Sequence, residues 1–303
     1  MRIILIGQAA FGAQVLEQLA QRGDNIVGAF APVGKLGDPL KEVADKFNIP
    51  IYQVKTMKDP EVYQHYSRLK PDLGVMAFVT DIVPEKILEY PRLGTIQYHP
   101  SLLPKHRGGS AINWAIINGE TETGITIFWP DKGIDTGPIL VQKEVSITQD
   151  DTVGSLYFNK LYPAGVESLL EAVSLVIQGD APRILQDESR ATYEGLCGKG
   201  EAKIDWSQPS IKTYNLIRGT NPQPGAYTFL NGKQIKIFDS ELFIGPGSGE
   251  PGQILDISEV GIKIAAIDGA ILVKRVQPEG TTKMGAAEYA ELEQLEIGTV
   301  FGE

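Results

Sequence analysis

The side chain best suited to proton transfer near neutral pH in this sequence belongs to His99. The chain of 303 residues contains three histidines, and this one follows the strand-like run at 94–99 and precedes a Pro-Ser-Leu-Leu-Pro stretch. Ligand crevices in open α/β sheets form at the carboxyl ends of strands, where an imidazole can act as a general acid or base. A histidine at a strand end can also be purely structural, so its position alone leaves both interpretations open.

A carboxylate partner for this histidine is available in the glycine-bounded turn at 131–137, which contains Asp131 and Asp135. Aspartates often shape such turns through hydrogen bonds to the nearby backbone. The functional interpretation requires one of the two carboxylates to face His99, where it would support the charged imidazole or hold a water molecule. The sequence alone does not decide between these interpretations.

The elements that must position these side chains are predicted from the hydrophobic pattern. Apolar runs at 2–6, 26–31 and 73–78 alternate with segments of helical periodicity. This alternation predicts a parallel sheet with helices on its faces. After residue 94 the pattern changes, and further strands are predicted at 124–129 and 138–147.

One long helix is predicted over 151–178. Asp151 or Thr152 can cap its beginning, and Gly179 ends it. The polar and irregular residues that follow, as far as 202, are interpreted as a linker.

The last third of the chain has several short β-like runs between 226 and 276. Asn231-Gly232 and Asp268-Gly269 separate some of them and predict tight hairpins with positive φ at both central positions. The complete prediction is an α/β protein in which a Rossmann-like, mostly parallel sheet precedes a small OB-like β-barrel. The predicted boundaries are 1–187 for the catalytic domain, 188–202 for the linker and 203–303 for the C-terminal domain.

A glycine loop at 7–12 lies between the first predicted strand and the first predicted helix. A dinucleotide site would need a middle glycine where Ala9 stands, and a carboxylate at the end of the second strand, which reads Ala-Phe-Ala-Pro. The preferred interpretation is therefore a tight strand-to-helix turn that requires small residues.

The composition limits the classes of partner and the location of the protein. The formal net charge is −10, which disfavours nucleic acid as the main partner, although Lys105, His106 and Arg107 form either a small basic patch or a solvated loop. No apolar run is long enough to span a membrane, and the N-terminus does not look like a signal peptide. With one cysteine, Cys197, which lacks a histidine base nearby, we expect a cytoplasmic protein without a disulfide. No cluster has metal-ligand spacing, so no metal is expected.

Many short motifs occur in the order and spacing of the 10-formyltetrahydrofolate-dependent formyltransferase and hydrolase family, which this sequence resembles from residue 1 to about 230. The resemblance is greatest to the N-terminal hydrolase region of 10-formyltetrahydrofolate dehydrogenase and extends to methionyl-tRNA formyltransferase. The motifs are IGQAAFG (6–12), DPL (38–40), YHPSLLPKHRG (98–108), SAINW (110–114), IFW (127–129), GIDTG (133–137), APR (181–183), ATYEG (191–195), AKIDW (202–206), IRG (217–219) and PGAY (224–227).

The resemblance implies a role for each matching residue. His99 matches the family's catalytic histidine, and Asp135 matches the essential aspartate that orients a water and supports the charged histidine. The folate is expected to contact Ser101, Leu102, Leu103 and Pro104, and its pterin to bind the backbone of Asp81, Ile82 and Val83.

One departure from the family concerns the residue two positions before the histidine. Transferases of the family usually carry asparagine there, whose amide donates to the formyl oxygen, whereas this chain has Gln97. Glutamine keeps the donor but moves it by one methylene, and oxyanion stabilisation depends on donor placement. Gln97 is therefore a candidate catalytic residue, and the alternative is that it only fills space.

The sequence leaves several formyl acceptors open. Water, an amine such as an amino sugar, a protein-borne thiol and an aminoacyl-tRNA are all compatible with the resemblance. The loop at 32–38 is short and has one lysine, which together with the net charge disfavours tRNA. The chain ends before the region that would oxidise the formyl group, so no NADP is expected. Hydrolysis is preferred, with methionyl-tRNA formyltransferase and a non-catalytic folate-binding module as alternatives.

Overall fold

The computed structural model describes residues 1–246 and 249–302. The predicted domain 203–303 therefore includes three positions, 247, 248 and 303, that lie outside the described residues. The chain forms two compact units, and neither is continuous in sequence. The first unit comprises Met1–Gly108, Thr123–Val145 and Phe158–Tyr193, and the second comprises Gly109–Glu122, Ser146–Tyr157 and Glu194–Glu303. The domain boundaries at 187/188 and 202/203 stay a prediction.

A seven-stranded sheet with the strand order β3-β2-β1-β4-β5-β6-β7 forms the centre of the first unit. Strands β1 to β5 pair in parallel, whereas β6 is antiparallel to β5. The residues from Ile3 to Ile6 are all buried, as expected for a central strand covered on both faces. The predicted mostly parallel sheet is confirmed. Its strands are β1 (Arg2–Gly7), β2 (Asn25–Pro32), β3 (Ile51–Val54), β4 (Leu73–Ala77), β5 (Thr95–His99), β6 (Glu122–Phe128) and β7 (Ile139–Ser146).

The single helix predicted over 151–178 is wrong, because the chain forms three successive helical segments there. Thr152 caps the first of them through a capping box with Ser155. The π-helical turn Tyr157–Leu161 comes next, directly before the helix whose first turn contains Pro163. Proline has no N–H to donate to the carbonyl four residues earlier, so a regular α-helical ladder cannot continue through this position. Gly179, with φ of 82°, ends the last segment as predicted.

The helices have the following bounds: α1 (Ala9–Gln21), α2 (Asp38–Lys46), α3 (Pro60–Arg68), α4 (Glu85–Leu88), α5 (Ala111–Ile117), α6 (Val153–Leu156), α7 (Tyr162–Gln178), α8 (Ser210–Gly219) and α9 (Ala286–Leu292), with a short 3₁₀ helix at Glu188–Arg190. In the two described ranges, no helix combines the length and the hydrophobicity that a membrane span requires.

The second unit contains two four-stranded antiparallel sheets, with the orders β10-β13-β12-β11 and β15-β14-β9-β8. Ile235 of one sheet and Ile264 and Ile271 of the other belong to one shared core. The predicted small antiparallel domain is confirmed. Its strands are β8 (Ala226–Leu230), β9 (Lys233–Ile237), β10 (Ser240–Ile244), β11 (Ile254–Ser258), β12 (Gly261–Ala266), β13 (Gly269–Val273), β14 (Arg275–Pro278) and β15 (Met284–Gly285).

The two predicted hairpin turns differ in outcome. Asn231 and Gly232 both have positive φ, as a tight hairpin turn requires. Asp268 and Gly269 do not, because Gly269 is already paired with Ala266 in the ladder between β12 and β13. The Asp268 carboxylate instead accepts a hydrogen bond from the Ser210 backbone amide at 2.6 Å, at the beginning of α8.

Candidate active site

His99 is the last residue of β5, and its side chain is buried, with the residue 5% exposed. Its Nε2 lies 2.8 Å from the backbone carbonyl oxygen of His106. A carbonyl oxygen only accepts hydrogen bonds, so Nε2 carries a proton and donates it in this contact. In the neutral imidazole the lone pair is then on Nδ1, which makes Nδ1 the atom that can accept a proton.

The carboxylate of Asp135 faces this nitrogen, with Oδ2 3.4 Å from Nδ1 of His99. The same Oδ2 accepts a hydrogen bond from the backbone amide of Gly108 at 2.8 Å. A distance of 3.4 Å exceeds that of an ordinary N–H···O bond, and it allows one water oxygen to lie within hydrogen-bond reach of both atoms. The lone pair on Nδ1 and the carboxylate repel each other, so this arrangement suits a proton between the two atoms or a water molecule that donates a hydrogen bond to each of them.

Asp131, the other aspartate of the turn, has the structural role of shaping the loop. Asp131 Oδ1 accepts hydrogen bonds from the backbone amide of Gly133 at 3.0 Å and from Oγ1 of Thr136 at 2.6 Å. Asp131 therefore shapes the loop. Asp135 has a left-handed backbone with φ of 55°, a conformation that aspartate tolerates better than most residues.

Asp135 is held from its backbone side by Gln186, a residue that sequence reasoning missed. Gln186 Nε2 donates to the carbonyl oxygens of Asp135 at 2.8 Å and Gly137 at 2.7 Å. Its Oε1 accepts from Nη2 of Arg107 at 2.8 Å. The only signal in the sequence was that Gln186 lies close to an Arg-rich and Asp-rich stretch, which by itself indicates a loop.

An ion pair extends this network. The Arg107 guanidinium donates to both carboxylate oxygens of Glu188, at 2.9 and 2.6 Å. The hydrogen bond to Glu188 raises the pKa of Arg107, and the same bond lowers the pKa of the Glu188 carboxyl. Arg107 is 6% exposed and His106 is also buried, so these two residues do not form a solvated loop.

The segment at 186–193 runs beside the chain that follows His99. His106 N donates to Thr192 Oγ1 at 2.8 Å, Arg107 N donates to the Thr192 carbonyl at 3.0 Å, and Thr192 N donates to the Pro104 carbonyl at 3.1 Å. The first part of the predicted linker is therefore fixed to the first unit as far as Tyr193. It borders a cavity of about 300 Å³ that is also lined by Ile134.

Gln97 lies two residues before His99 on β5, so both side chains project from the same face of the sheet. Its side chain is half-buried, and its amide makes no hydrogen bond to any residue in the described ranges. The amide therefore remains available as a donor on the face that carries His99.

The predicted pterin-binding segment follows β4, the parallel neighbour of β5, so it begins at the sheet edge where His99 lies. Asp81 Oδ2 accepts hydrogen bonds from Thr56 Oγ1 at 2.8 Å and from the backbone amide of Met57 at 2.6 Å. Ile82 is 64% exposed, whereas Val83 is buried. Within the described residues, the backbone amides of 79–83 donate to no protein acceptor.

The Ser101–Pro104 segment points largely into the protein. Ser101 Oγ donates to the Lys105 carbonyl at 2.6 Å, and Leu103 and Pro104 are buried around a cis peptide bond. Leu102 is half-buried. These residues build the turn that orients 105–108, and their predicted contact with folate stays a prediction.

The glycine loop is the tight turn that was preferred above. An added Cβ on Gly7 would lie 2.9 Å from the Ala77 carbonyl oxygen, and one on Gly12 would lie 3.1 Å from the carbonyl carbon of Gly7. The Ala9 amide donates to the Leu36 carbonyl at 2.6 Å, so it is not free to bind a phosphate. The close packing at both glycines explains why this strand-to-helix turn requires small residues.

Metal binding and thiol chemistry find little support in this structure. Among the residues that the structure describes, no group of three His, Cys, Asp or Glu is placed to hold a metal ion. Burial, with a smaller contribution from Glu201, raises the pKa of the Cys197 thiol to about 11. A protonated thiol is a poor nucleophile, which agrees with the interpretation of Cys197 as incidental.

Comparison with known proteins identifies the family. Residues 1–173 match the family model described as formyl transferase, and residues 197–293 match the model of the formyl transferase C-terminal domain. The chain belongs to the formyl transferase family.

Two curated relatives show how the similarity is distributed. Cytosolic 10-formyltetrahydrofolate dehydrogenase of Xenopus tropicalis is 40% identical over 306 residues, which cover 95% of this chain and 34% of that protein. The chain thus spans about a third of the length of these dehydrogenases. Methionyl-tRNA formyltransferase of Geobacter sulfurreducens is 36% identical over 311 residues, which cover 100% of this chain and 97% of that protein.

Solved structures share the fold. HypX from Aquifex aeolicus in complex with tetrahydrofolic acid superposes with a TM-score of 0.69 at 21% identity, covering 96% of this chain and 47% of that one. The N-formyltransferase from Helicobacter canadensis, in complex with folinic acid and dTDP-3-aminofucose, gives a TM-score of 0.66 at 20% identity, covering 91% and 98%.

Proposed function

We propose that this protein removes the formyl group of 10-formyltetrahydrofolate and transfers it to water, giving formate and tetrahydrofolate. Membership of the formyl transferase family and the 40% identity with a 10-formyltetrahydrofolate dehydrogenase support the folate donor. The observation that carries the proposal is the separation of 3.4 Å between His99 Nδ1 and Asp135 Oδ2 at the carboxyl edge of the sheet.

In the proposed reaction, Asp135 holds a water molecule and His99 Nδ1 accepts its proton as the water oxygen attacks the formyl carbon. The Nε2 contact with the His106 carbonyl keeps the lone pair on Nδ1 before the attack. The Gln97 amide donates to the oxygen that becomes negative in the tetrahedral intermediate. His99 then returns the proton to N10 of the folate as the carbon–nitrogen bond breaks, and formate leaves.

Folate is proposed to bind at the segment that follows β4. Backbone amides at 79–83 without protein acceptors offer hydrogen bonds to a pterin, and exposed Ile82 offers an apolar surface. The hydrogen bonds between Asp81 and residues 56–57 fix the segment before folate arrives, which lowers the entropic cost of binding.

Two functions other than hydrolysis are the alternatives. Transfer to a methionyl-tRNA is supported by the full-length similarity to a methionyl-tRNA formyltransferase. The net charge of −10 and the single lysine in the short loop at 32–38 favour water or a small amine or thiol instead. A non-catalytic folate-binding module is the other alternative, and it predicts folate binding without turnover.

The test is incubation of the purified protein with 10-formyltetrahydrofolate alone, with tetrahydrofolate and formate both measured. We expect equal amounts of the two products. His99→Ala and Asp135→Ala should each lower kcat by about 10²–10⁴-fold, the usual contribution of a general base. His65→Ala is the matched control, because His65 lies on α3 against Tyr52 and outside the site.

The alternatives give different results in the same assay. No products from folate alone, with rapid turnover once charged initiator tRNA is added, would overturn hydrolysis in favour of the tRNA enzyme. Tight folate binding with turnover that is indifferent to His99→Ala would instead identify a folate-binding module.

A further inference from the structure

The second unit contains a cavity of its own, with a volume of about 740 Å³. It is formed by α8, the segment 203–208 before it, the loop that follows α5 and the loop that follows β7. Every residue that lines it belongs to the second unit. Small-molecule sites usually have volumes of about 300–1,000 Å³. None of its lining residues has a role in the formyl chemistry proposed above.

Arg218 on α8 lines this cavity although the residue is 7% exposed. Its Nε donates to Asn215 Oδ1 at 2.8 Å, and its Nη1 donates to the carbonyl oxygens of Thr148 at 3.2 Å and Asp151 at 3.1 Å. All three acceptors are neutral. In the described residues, no carboxylate oxygen lies within 4 Å of the guanidinium, and Nη2 has no hydrogen-bond acceptor.

Burial lowers the pKa of Arg218, while the nearby Tyr214, Asp151 and Asp150 act in the opposite direction. The nearby groups of the protein thus offset only part of the free-energy cost of burying the charged guanidinium. A bound anion would supply the missing compensation.

Thr213, on the same helix, is a second buried polar group of this cavity. It is 3% exposed, and its hydroxyl has no hydrogen-bond partner among the described residues. Buried hydroxyl groups are nearly always hydrogen-bonded, so an unpartnered one in a lining residue marks a donor that a ligand could satisfy. The hydroxyl oxygen itself has almost no accessible surface, so it meets a ligand in the cavity only after a rotation about χ1.

The charges that line the cavity favour an anion. The lining includes the cations Lys203, Lys212 and Arg218, and the carboxylates Glu120 and Asp205. Asp205 is already engaged, because its two oxygens accept hydrogen bonds from Ser207 and Gln208. An excess of cations is notable in a chain whose net charge is −10.

We propose that this cavity binds a small organic phosphate, with the phosphoryl oxygens accepting hydrogen bonds from Arg218 Nη2, from the Thr213 hydroxyl after rotation about χ1 and from the exposed Lys212. A phosphoryl group has three oxygens for these donors, whereas a carboxylate has two. Ile147 and Ile211 supply apolar lining for the organic part.

The test is calorimetric titration of the full chain with phenyl phosphate, inorganic phosphate and benzoate. We expect phenyl phosphate to bind with one-to-one stoichiometry, inorganic phosphate to bind more weakly and benzoate to bind most weakly. Thr213→Val keeps the side-chain shape without the hydroxyl and should weaken phenyl phosphate binding about tenfold, as expected for one hydrogen bond to a charged group. Lys212→Gln should weaken binding and reduce its salt dependence.

Two control variants keep the result interpretable. Lys233→Gln removes an exposed lysine at the beginning of β9 and should leave binding unchanged. His99→Ala should also leave binding unchanged, and a loss of binding in this variant would assign the phosphate to the folate site. Arg218 is not substituted, because its hydrogen bonds brace two carbonyls and its loss could unfold the region. Thermal unfolding verifies that each variant is folded.

Absence of saturable phenyl phosphate binding up to about 10 mM would overturn the proposal. Equal affinity in the wild type, Thr213→Val and Lys212→Gln would do the same, as would tighter binding of benzoate than of phenyl phosphate. The readout is binding and not turnover, so its result is independent of whether the protein hydrolyses formylfolate.

Discussion

The side-chain amide of Gln186 donates a hydrogen bond to the backbone carbonyl of Asp135, the residue whose carboxylate faces His99. Asp135 is therefore fixed at two points, by Gln186 on its carbonyl and by the Gly108 amide on its carboxylate. Catalytic geometry is sensitive to displacements of about 1 Å. Gln186 is thus expected to act as a positioning residue.

Replacing Gln186 by leucine should lower kcat about ten- to a hundredfold with little change in KM for the folate, because the carboxylate is displaced while the folate-binding segment is untouched. The measurement is steady-state hydrolysis with kcat and KM determined separately. Gln64→Leu, on the exposed side of α3, is the control. A lower melting temperature with unchanged kcat in the folded protein would show that Gln186 is only structural.

The sequence pointed to the pair of His99 and Asp135 but not to Gln186, which supports it, and the reason is physical. The burial pattern of a strand appears in consecutive residues of the sequence, so the strand that ends in His99 was predictable. The glycines around Asp135 indicated the turn that contains it. The contact between Gln186 and Asp135 joins a side chain to a backbone carbonyl far away in sequence and leaves no periodic pattern. The break in the helix before Pro163 could have been predicted from the sequence, because a proline has no N–H to continue the helical hydrogen bonds.

Gln97 provides a prediction about the oxyanion. If its amide donates to the developing negative oxygen, Gln97→Leu should lower kcat by about 10²–10³-fold, the usual cost of one oxyanion donor. Gln97→Asn, which places the amide as the family's transferases do, should retain more activity than Gln97→Leu. The pH profile should keep its shape because the amide does not titrate. A rate for Gln97→Leu within twofold of the wild type would support the space-filling alternative.

The ion pair between Arg107 and Glu188 predicts a pH-dependent stability. The Arg107 guanidinium lowers the pKa of the Glu188 carboxyl in the folded protein. The ionised pair therefore contributes stability above the unfolded-state pKa of about 4.3, and this contribution is lost as the pH falls through the folded-state pKa. Glu188→Gln should lower Tm at pH 7, and its Tm should converge with that of the wild type as the pH approaches 3.

Thermal unfolding between pH 3 and pH 7 is the measurement for this ion pair. The Glu188 side chain is exposed, so salt should screen the interaction and reduce the difference in Tm at pH 7. Glu89→Gln, at the end of α4, removes an exposed carboxylate as the control. A difference in Tm that is the same at pH 3 and pH 7 would contradict an ionic origin.

Cys197 provides the last prediction, because a pKa of about 11 leaves little thiolate at physiological pH. At pH 8 the thiolate fraction should be about a hundredfold smaller than for a thiol with an ordinary pKa of 9.0, so alkylation by iodoacetamide should be slower by roughly that factor. The rate should rise about tenfold for each pH unit until the thiol titrates. Cys197→Ser should leave hydrolysis unchanged, and rapid alkylation at pH 7 together with loss of activity in Cys197→Ser would instead identify a functional thiolate.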